Sequence, residues 1–250
     1  MPKKAVLRLL EKMGYEVLPT WRYERYAQSE YLKKLFEFLQ IDCVFDVGAN
    51  DGQFAQFLRK EVEYDGLIIS FEPIPESVEK LKVASGTDGR WVIRPHALGR
   101  SKGTLQFNVM EGSQFSSFLE PSHESVNMFA DSNRISRKID VEVLTLAEIM
   151  PALIDEFGIK APYLKLDTQG YDLEVAHGAG SLISDFRALQ SEASVKPIYK
   201  NMPNYSDTIA TYNGMGFDLS GIFPNNPEHF PLMIEFDVHM INGHFLRQQT

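Results

Sequence analysis

Cysteine is nearly missing from this chain: 250 residues include one, Cys43. A single thiol forms no intrachain disulfide and no cysteine-based zinc cluster, so nothing requires an oxidising compartment. Long apolar runs are missing as well. No stretch approaches the roughly 20 apolar residues that a membrane helix needs. Lys3 and Lys4 precede a short apolar run that Arg8 interrupts, so a signal peptide is not expected. Positive charge is in deficit, with 25 Lys+Arg against 34 Asp+Glu and a formal net charge of −9. A chain of that sign is not expected to coat nucleic acid or anionic membrane. The six histidines are scattered without ligand spacing, and no metal site is expected. Together these absences predict a soluble, cytoplasmic protein with no membrane span.

What is present is an ordinary globular composition, 44% apolar and 24% charged, which argues against intrinsic disorder. Without repeats or low-complexity linkers, residues 1–250 read as one domain, with a helical extension over 1–40 and a core over 43–240. Residues 22–40 repeat apolar positions at helical spacing. CVFDVG (43–48) then reads as a buried strand and QFAQFLRKEV (53–62) as a helix. LIISFE (67–72) is a second strand, ESVEKLKVA (76–84) a helix, and WVIRPHAL (91–98) a third strand with its exit. Strands alternating with helices predict an α/β doubly wound parallel sheet. Two alternating segments, 103–110 and 138–146, break that rhythm as an inserted strand pair. The polar loop between them, 111–134, is long enough to be functional, and reads as a mobile lid. The expected order then resumes: helix 146–157, strand 163–167, helix 171–184, strand 187–192, helix 205–214 and strands 217–223 and 232–241. On the last strand, residues 233, 235, 237, 239 and 241 share a face that reads as partly solvated.

Asp46-Val47-Gly48-Ala49-Asn50-Asp51-Gly52 lies where the first strand turns into a helix. Glycines there let a backbone approach a ligand, and the helix start offers free N–H groups. Glu72 ends the second strand, twenty residues after Gly52. A carboxylate at that place accepts hydrogen bonds from both hydroxyls of a ribose. The pattern describes an adenosine-binding crevice. Its G-x-x-x-G spacing is neither the dinucleotide fingerprint nor a P-loop. Asp46 repels phosphate and favours an ammonium or sulfonium, and S-adenosylmethionine carries both. His96, after the third strand, reads as a lining residue of the adenine pocket. Asp167 and Glu192 end the fourth and fifth strands as neighbours, placed to act as a base or to orient an acceptor hydroxyl. Tyr199, Tyr205, Phe223 and Phe230 are candidates for an apolar acceptor wall.

A run of motifs, in order, resembles the FkbM family of S-adenosylmethionine-dependent methyltransferases. VFDVGANDGQF (44–54) is similar to its opening strand and turn, SFEPIPESVEKL (70–81) to its Phe-Glu-Pro segment, and HALG (96–99) to its Ala-Leu-Gly. SSF (116–118) resembles a Ser-Ser-Leu signature, VEVLTL (141–146) a strand with Thr-Leu, YLKLDTQGYDLEVAHGA (163–179) the Leu-Lys-Ile-Asp block, and LQSE (189–192) the last acidic strand end. Two positions depart: Ala147 stands where the family often has Asp, and Gln169 where it often has Glu. The resemblance implies a seven-stranded Rossmann-like methyltransferase sheet of order 3-2-1-4-5-7-6 with the last strand antiparallel. It implies O-methyl transfer to a hydroxyl of a sugar, glycan or other natural product. By the same likeness, Asp46, Gly48, Asn50, Gly52, Glu72, Pro73, His96 and Ala97 hold S-adenosyl-L-methionine. Ser116 and Ser117 then lie toward the substrate, while Asp167 and Glu192 face the acceptor. The alternatives are a non-catalytic adenosine-ligand-binding protein on the same fold and an NAD-dependent oxidoreductase, which the glycine spacing disfavours.

Overall fold

The computed structural model describes residues 25–225 and 229–249, together with residues 6, 10, 12–15, 17–20 and 23. Of the helix expected over 22–40, residues 22 and 24 lie outside the described residues, as does most of the extension before them. The described helix α1 is Tyr26–Leu39.

Two short strands, β1 (Cys43–Val47) and β7 (Pro162–Leu166), are buried along their whole length. Strands covered on both faces belong at the centre of a sheet with a layer on each side. They form the middle of a seven-stranded sheet completed by β2 (Leu67–Phe71), β3 (Trp91–Arg94), β8 (Ala188–Ser194), β9 (Phe217–Pro224) and β10 (Glu235–Asn242). Its order is β3-β2-β1-β7-β8-β10-β9. The first five pair in parallel, whereas β10 runs antiparallel to both β8 and β9.

Alternation along each strand sends successive side chains to opposite layers. Val44, Ile68 and Tyr163 meet Leu32, Leu35 and Leu58, from α1 and from the helix α2 (Gln53–Phe57) with its wide final turn, Leu58–Val62. On the other face Phe45, Ile69 and Leu164 meet Met150, Leu153 and Val175. Those three come from α4 (Leu146–Phe157) and α5 (Asp172–Gly178). The start of α4 follows from its sequence: the Thr145 side chain accepts from the Glu148 N–H, and Glu148 reaches back to the Thr145 N–H. The helix α3 (Pro75–Ser85) links β2 to β3, and α6 (Tyr205–Gly214) precedes β9. A last helix, α7 (Gly243–Gln249), follows β10.

Five expectations need correction. The strand expected over 91–98 is broken after Arg94, and Ala97–Leu98 (β4) joins a second sheet. That sheet holds β5 (Gly103–Met110) and β6 (Ile135–Leu144) in the order β4-β6-β5, so the inserted pair is a triplet. The helix expected over 171–184 stops at Gly178 and gives way to a tighter turn over Gly180–Asp185, because glycines at 178 and 180 weaken a helix. The loop 111–134 is fastened rather than free. Ser122 N–H donates to the Ile198 carbonyl, Lys200 N–H to that of Glu120, and the Asn133 side chain to that of Ile198. Finally, the second face of the last strand is more covered than expected: Met233 is exposed and Asp237 half-buried, but Glu235 is 9% exposed and His239 is fully covered. Its cover comes from α1, whose Gln28 side chain donates to Asp237 at 2.6 Å.

Candidate functional site

At the carboxyl edge of β1 and β2 a cavity of about 290 Å³ opens. Its walls include Gly48, Asn50, Glu72, Pro73, His96 and Ala97, with Ser116, Asp167 and Glu192 further along. Nine of the expected site residues therefore meet around one space. Asp46, Gly52 and Ser117 do not line it.

The reason differs for each of these three. Asp46 is wholly buried inside the sheet, with Oδ1 2.9 Å from Lys165 Nζ and Oδ2 accepting from Ser70 Oγ. Its charge is spent on a neighbouring strand and does not face a ligand. Gly52 has φ +88°, and a Cβ there would lie 2.9 Å from the Trp91 ring. The residue serves the packing of α2 against β3. Ser117 is buried and ties the loop to the sheet, donating to the Gln169 carbonyl and accepting from Leu119 N–H.

The glycine turn has little N–H left to offer. Gly48 and Ala49 N–H both donate to the Phe71 carbonyl, Gly52 N–H donates to Ala49, and Asn50 N–H donates to Glu72 Oε2 at 2.8 Å. A turn so occupied does not cradle phosphates, which need several free amides. Gly48 itself is confined, since a Cβ would collide with the Asp167 carbonyl. Glu72 is fixed from two sides, because Ile74 N–H donates to its Oε1 at 2.8 Å. Burial pushes its pKa up to about 7, against the pull of those two N–H groups and of Lys165. Each oxygen keeps lone-pair capacity for a diol. Phe71, Ile74, Leu98, Phe107 and Phe118 supply an apolar slot beside it. A held carboxylate next to a flat apolar slot, without a phosphate cradle, fits an adenosine carrying no pyrophosphate. His96 lines the same space with Nδ1 3.3 Å from a Glu142 carboxylate oxygen.

Elsewhere on the cavity wall, Gln169 holds two carboxylates together. Its Nε2 donates to Asp167 Oδ1 and to Glu192 Oε2, both at 3.1 Å. Its Oε1 accepts from Tyr199 OH at 2.9 Å, and its backbone sits at φ +53°. An amide can donate to two anions at once, which a carboxylate at position 169 could not do. Burial, then the carboxylates of Glu235, Asp167, Asp237 and Asp172, raise the Glu192 pKa well above its ordinary value. Asp172, the first residue of α5, accepts from Thr168 and Ser191 and from Glu192 N–H, fixing the backbone under the pair.

Several residues that surround Asp46 escaped the sequence reading. Ser70, Asp46, Lys165, Gln190 and His239 are register partners on five adjacent strands, a polar row across the sheet. Lys165 Nζ is also 3.4 Å from Asp167 Oδ2 and donates to the Gly48 carbonyl. Burial works to lower its pKa, but Asp46 and Asp167 outweigh that and hold the ammonium above its ordinary value. The available signal was one polar residue in the middle of each apolar strand. Of the proposed acceptor wall, Tyr199 is buried behind Gln169, whereas Phe230 is 88% exposed and away from the cavities. Among the described residues, no group of three or more His, Cys, Asp or Glu is placed to hold a metal ion. No helix among them is long and apolar enough to cross a membrane.

Fold and site thus define an α/β protein with a crevice at the carboxyl edge of a mostly parallel sheet. A family model, the methyltransferase FkbM domain, matches residues 46–219, and the chain belongs to that family. It is a methyltransferase-family protein whose cofactor is S-adenosylmethionine. No curated protein sequence matches the chain. Solved structures similar to it include fibrillarin from Aeropyrum pernix with natively bound S-adenosyl-L-methionine, at 10% identity and TM-score 0.42. The alignment covers 80% of this chain and 66% of that one, so this chain spans just under two thirds of the fibrillarin length. Magnesium protoporphyrin IX methyltransferase from Synechocystis PCC 6803 is similar at 10% identity and TM-score 0.43, covering 96% and 92%. A SAM-dependent methyltransferase from Aquifex aeolicus is similar at 11% identity and TM-score 0.39, covering 97% and 100%. The identification rests on the family match.

Proposed function

We propose that this protein is an O-methyltransferase acting on a hydroxyl of a sugar, glycan or other hydroxylated natural product. The observation that carries this reading is the Gln169 bridge. It holds Asp167 and Glu192 side by side on the wall of the crevice. In this reading residues 1–250 work as one domain.

Glu72 holds the ribose hydroxyls of the cofactor. Gly48, Asn50 and Pro73 shape the turn and strand end around it, and His96 and Ala97 line the adenine slot. When bound, the cofactor supplies an electrophilic methyl group on a sulfonium. The chain's own work lies on the acceptor side. Asp167 accepts a hydrogen bond from the acceptor hydroxyl and fixes its direction. Glu192, whose proton affinity is raised, takes the hydroxyl proton as the oxygen gains its methyl group. Its raised proton affinity favours acceptance of that proton by the ionised carboxylate. Ser116 closes the cavity from the loop, with its Oγ accepting from Met110 N–H. The acidic balance of the chain favours a small acceptor over nucleic acid.

The test is a panel of hydroxylated acceptors incubated with methyl-labelled S-adenosylmethionine, with calorimetry against S-adenosylhomocysteine and NAD. The expected result is binding of S-adenosylhomocysteine, none of NAD, and label in an ether linkage. Binding without transfer to any acceptor supports the non-catalytic alternative, and NAD binding supports the oxidoreductase.

A further inference from the structure

Tyr199 lies on the segment that leaves β8 and is 1% exposed. Its hydroxyl oxygen stands 2.6 Å from the Phe115 carbonyl oxygen and 2.9 Å from Gln169 Oε1. Both neighbours are acceptors, and a phenol has one hydrogen to give. Burial, then the carboxylates of Glu192, Glu235 and Asp167, push the phenol pKa well above its ordinary value, so the hydrogen stays on the oxygen. The Phe115 carbonyl has no hydrogen to offer in return, but Gln169 has, at the nitrogen end of its amide. The two ends of an amide are alike in size, so either end fits the same space.

The same heavy atoms therefore support two hydrogen arrangements. In the first, Tyr199 donates to Gln169 Oε1, while Gln169 Nε2 donates to Asp167 Oδ1 and Glu192 Oε2. Both carboxylates are then ionised, and the Phe115 carbonyl receives nothing from Tyr199. In the second, the amide is turned over. Its nitrogen donates to the Tyr199 oxygen, which frees the phenol hydrogen for Phe115, and its oxygen faces the carboxylates. An amide oxygen facing two anions is repelled, so this arrangement needs a proton on Glu192 Oε2. Asp167 accommodates the turn, because its side chain is 42% exposed and its Oδ2 faces Lys165 Nζ at 3.4 Å. Glu192 Oε1 takes no part, since it accepts from Asn225 Nδ2. The proton on Glu192 thus selects where the Tyr199 hydrogen points. No proton travels along the chain of groups: each keeps its own hydrogens and turns.

We propose that Tyr199 is a positioning residue of the acceptor side, and that its hydroxyl couples the proton on Glu192, through the Gln169 amide, to the Phe115 carbonyl. Phe115 ends the short turn Ser113–Phe115 and lines the crevice beside Ser116. Uptake of a proton by Glu192 then adds a hydrogen bond to this stretch of wall, and loss of the proton removes it. The groups that bias Glu192 are Asp167 and Lys165 at the end of β7, Asp172 at the start of α5, Glu235 and Asp237 on β10, and Arg25 before α1. The proposal rests on the methyl-transfer reading above, which makes the acceptor hydroxyl the source of that proton.

The test reads the Phe115 carbonyl directly. Phe115-Ser116 is the only Phe-Ser pair in the sequence, so the full chain labelled with carbonyl-¹³C phenylalanine and ¹⁵N serine gives one carbonyl signal by NMR. The chain is saturated with S-adenosylhomocysteine and titrated from about pH 9 down to about pH 5, across a raised carboxylate range. The carbonyl signal is expected to move to higher frequency as pH falls, the direction of a carbonyl that gains a hydrogen bond. Glu192→Gln should abolish the movement, because the trigger no longer titrates. Tyr199→Phe should abolish it by removing the hydroxyl, and Gln169→Met by removing the amide, so either variant serves if the other fails to fold. Glu111→Gln, on the same loop and facing Arg134 at the surface, should keep it. A carbonyl signal indifferent to pH overturns the proposal, as does a movement that survives Glu192→Gln or Tyr199→Phe, since Tyr199 would then only fill space. Failure to bind S-adenosylhomocysteine counts against the methyl-transfer reading itself. The carbonyl measurement needs no ligand or acceptor, and it decides this proposal in either case.

Discussion

The two halves of the crevice are built on different principles. On the β1–β2 side, the polar groups are held by the backbone: Glu72 accepts from Asn50 and Ile74 N–H, and the glycine turn donates into the Phe71 carbonyl. On the β7–β8–β10 side, they are held by one another. Gln169 bridges Asp167 and Glu192, Asn225 reaches both Glu192 and Asp237, and Gln28 reaches Asp237. Backbone bonds hold whatever the side chains nearby, so the first half suits a ligand that never changes. A side-chain network is retuned by one substitution, so the second half suits a ligand that differs among relatives. The comparison predicts that loss of Glu72 costs both cofactor affinity and stability, and that loss of Asp167 or Glu192 costs turnover without cofactor affinity.

The largest effect is expected on the second side. Glu192→Gln should lower kcat by about 10²–10⁴-fold, the usual loss for a general base, while leaving S-adenosylhomocysteine affinity unchanged. Asp167→Asn should fall in the same range, and the double variant should be little worse than either alone if the two act as one unit. EDTA should leave the wild-type rate unchanged. Full kcat in both single variants at saturating acceptor would remove the catalytic assignment and leave the family membership untouched.

On the first side Glu72→Ala should do two things at once. Cofactor affinity should fall by about 1.5–3 kcal/mol as charged-acceptor bonds to the ribose are lost. Stability should also fall, by about 1–3 kcal/mol, because two backbone N–H groups lose their acceptor. Calorimetry and urea unfolding read the two separately. A loss of affinity with an unchanged unfolding midpoint would break the contrast between the halves. A smaller test isolates the turn. Gly52→Ala places a Cβ against Trp91 at positive φ, and should cost about 1–3 kcal/mol of stability with little change in affinity, since Gly52 does not line the cavity.

Much of this was legible in the sequence, and the limits have physical causes. The central strands announced themselves as apolar runs, and Glu72, read from its place at a strand end, lines the cavity. Lys165, Gln190 and His239 were missed because each is a single polar residue in an apolar run. Their meaning depends on register, which strand periodicity does not reveal. The face of β10 bearing Glu235 and Asp237 read as partly solvated, because alternation shows that two faces differ and not what covers the second. Here α1, some 200 residues earlier in the chain, provides the cover through Gln28. Asp46 was given a ligand-facing role that its ion pair with Lys165 removes.

The smallest effect is a pH dependence, and it separates a backbone-held acid from a network-held one. Glu72 has its pKa raised to about 7, chiefly by burial. Below that pH it is protonated, and the added hydrogen competes with Asn50 N–H, Ile74 N–H or a ribose hydroxyl for room at one oxygen. Above it, both oxygens accept. Affinity for S-adenosylhomocysteine should therefore rise as pH increases from about 6 to 8 and then level, by about five- to tenfold, the difference between a charged and a neutral acceptor. Glu72→Gln should flatten this rise, since an amide does not titrate. His96 also lines the cavity, so His96→Gln is the control, and it should keep the slope if Glu72 is the source. Glu192→Gln should keep it too, because Glu192 stands on the acceptor side. An affinity that falls with pH over this range, or a slope that survives Glu72→Gln, would show that Glu72 does not hold the ribose as an ionised carboxylate.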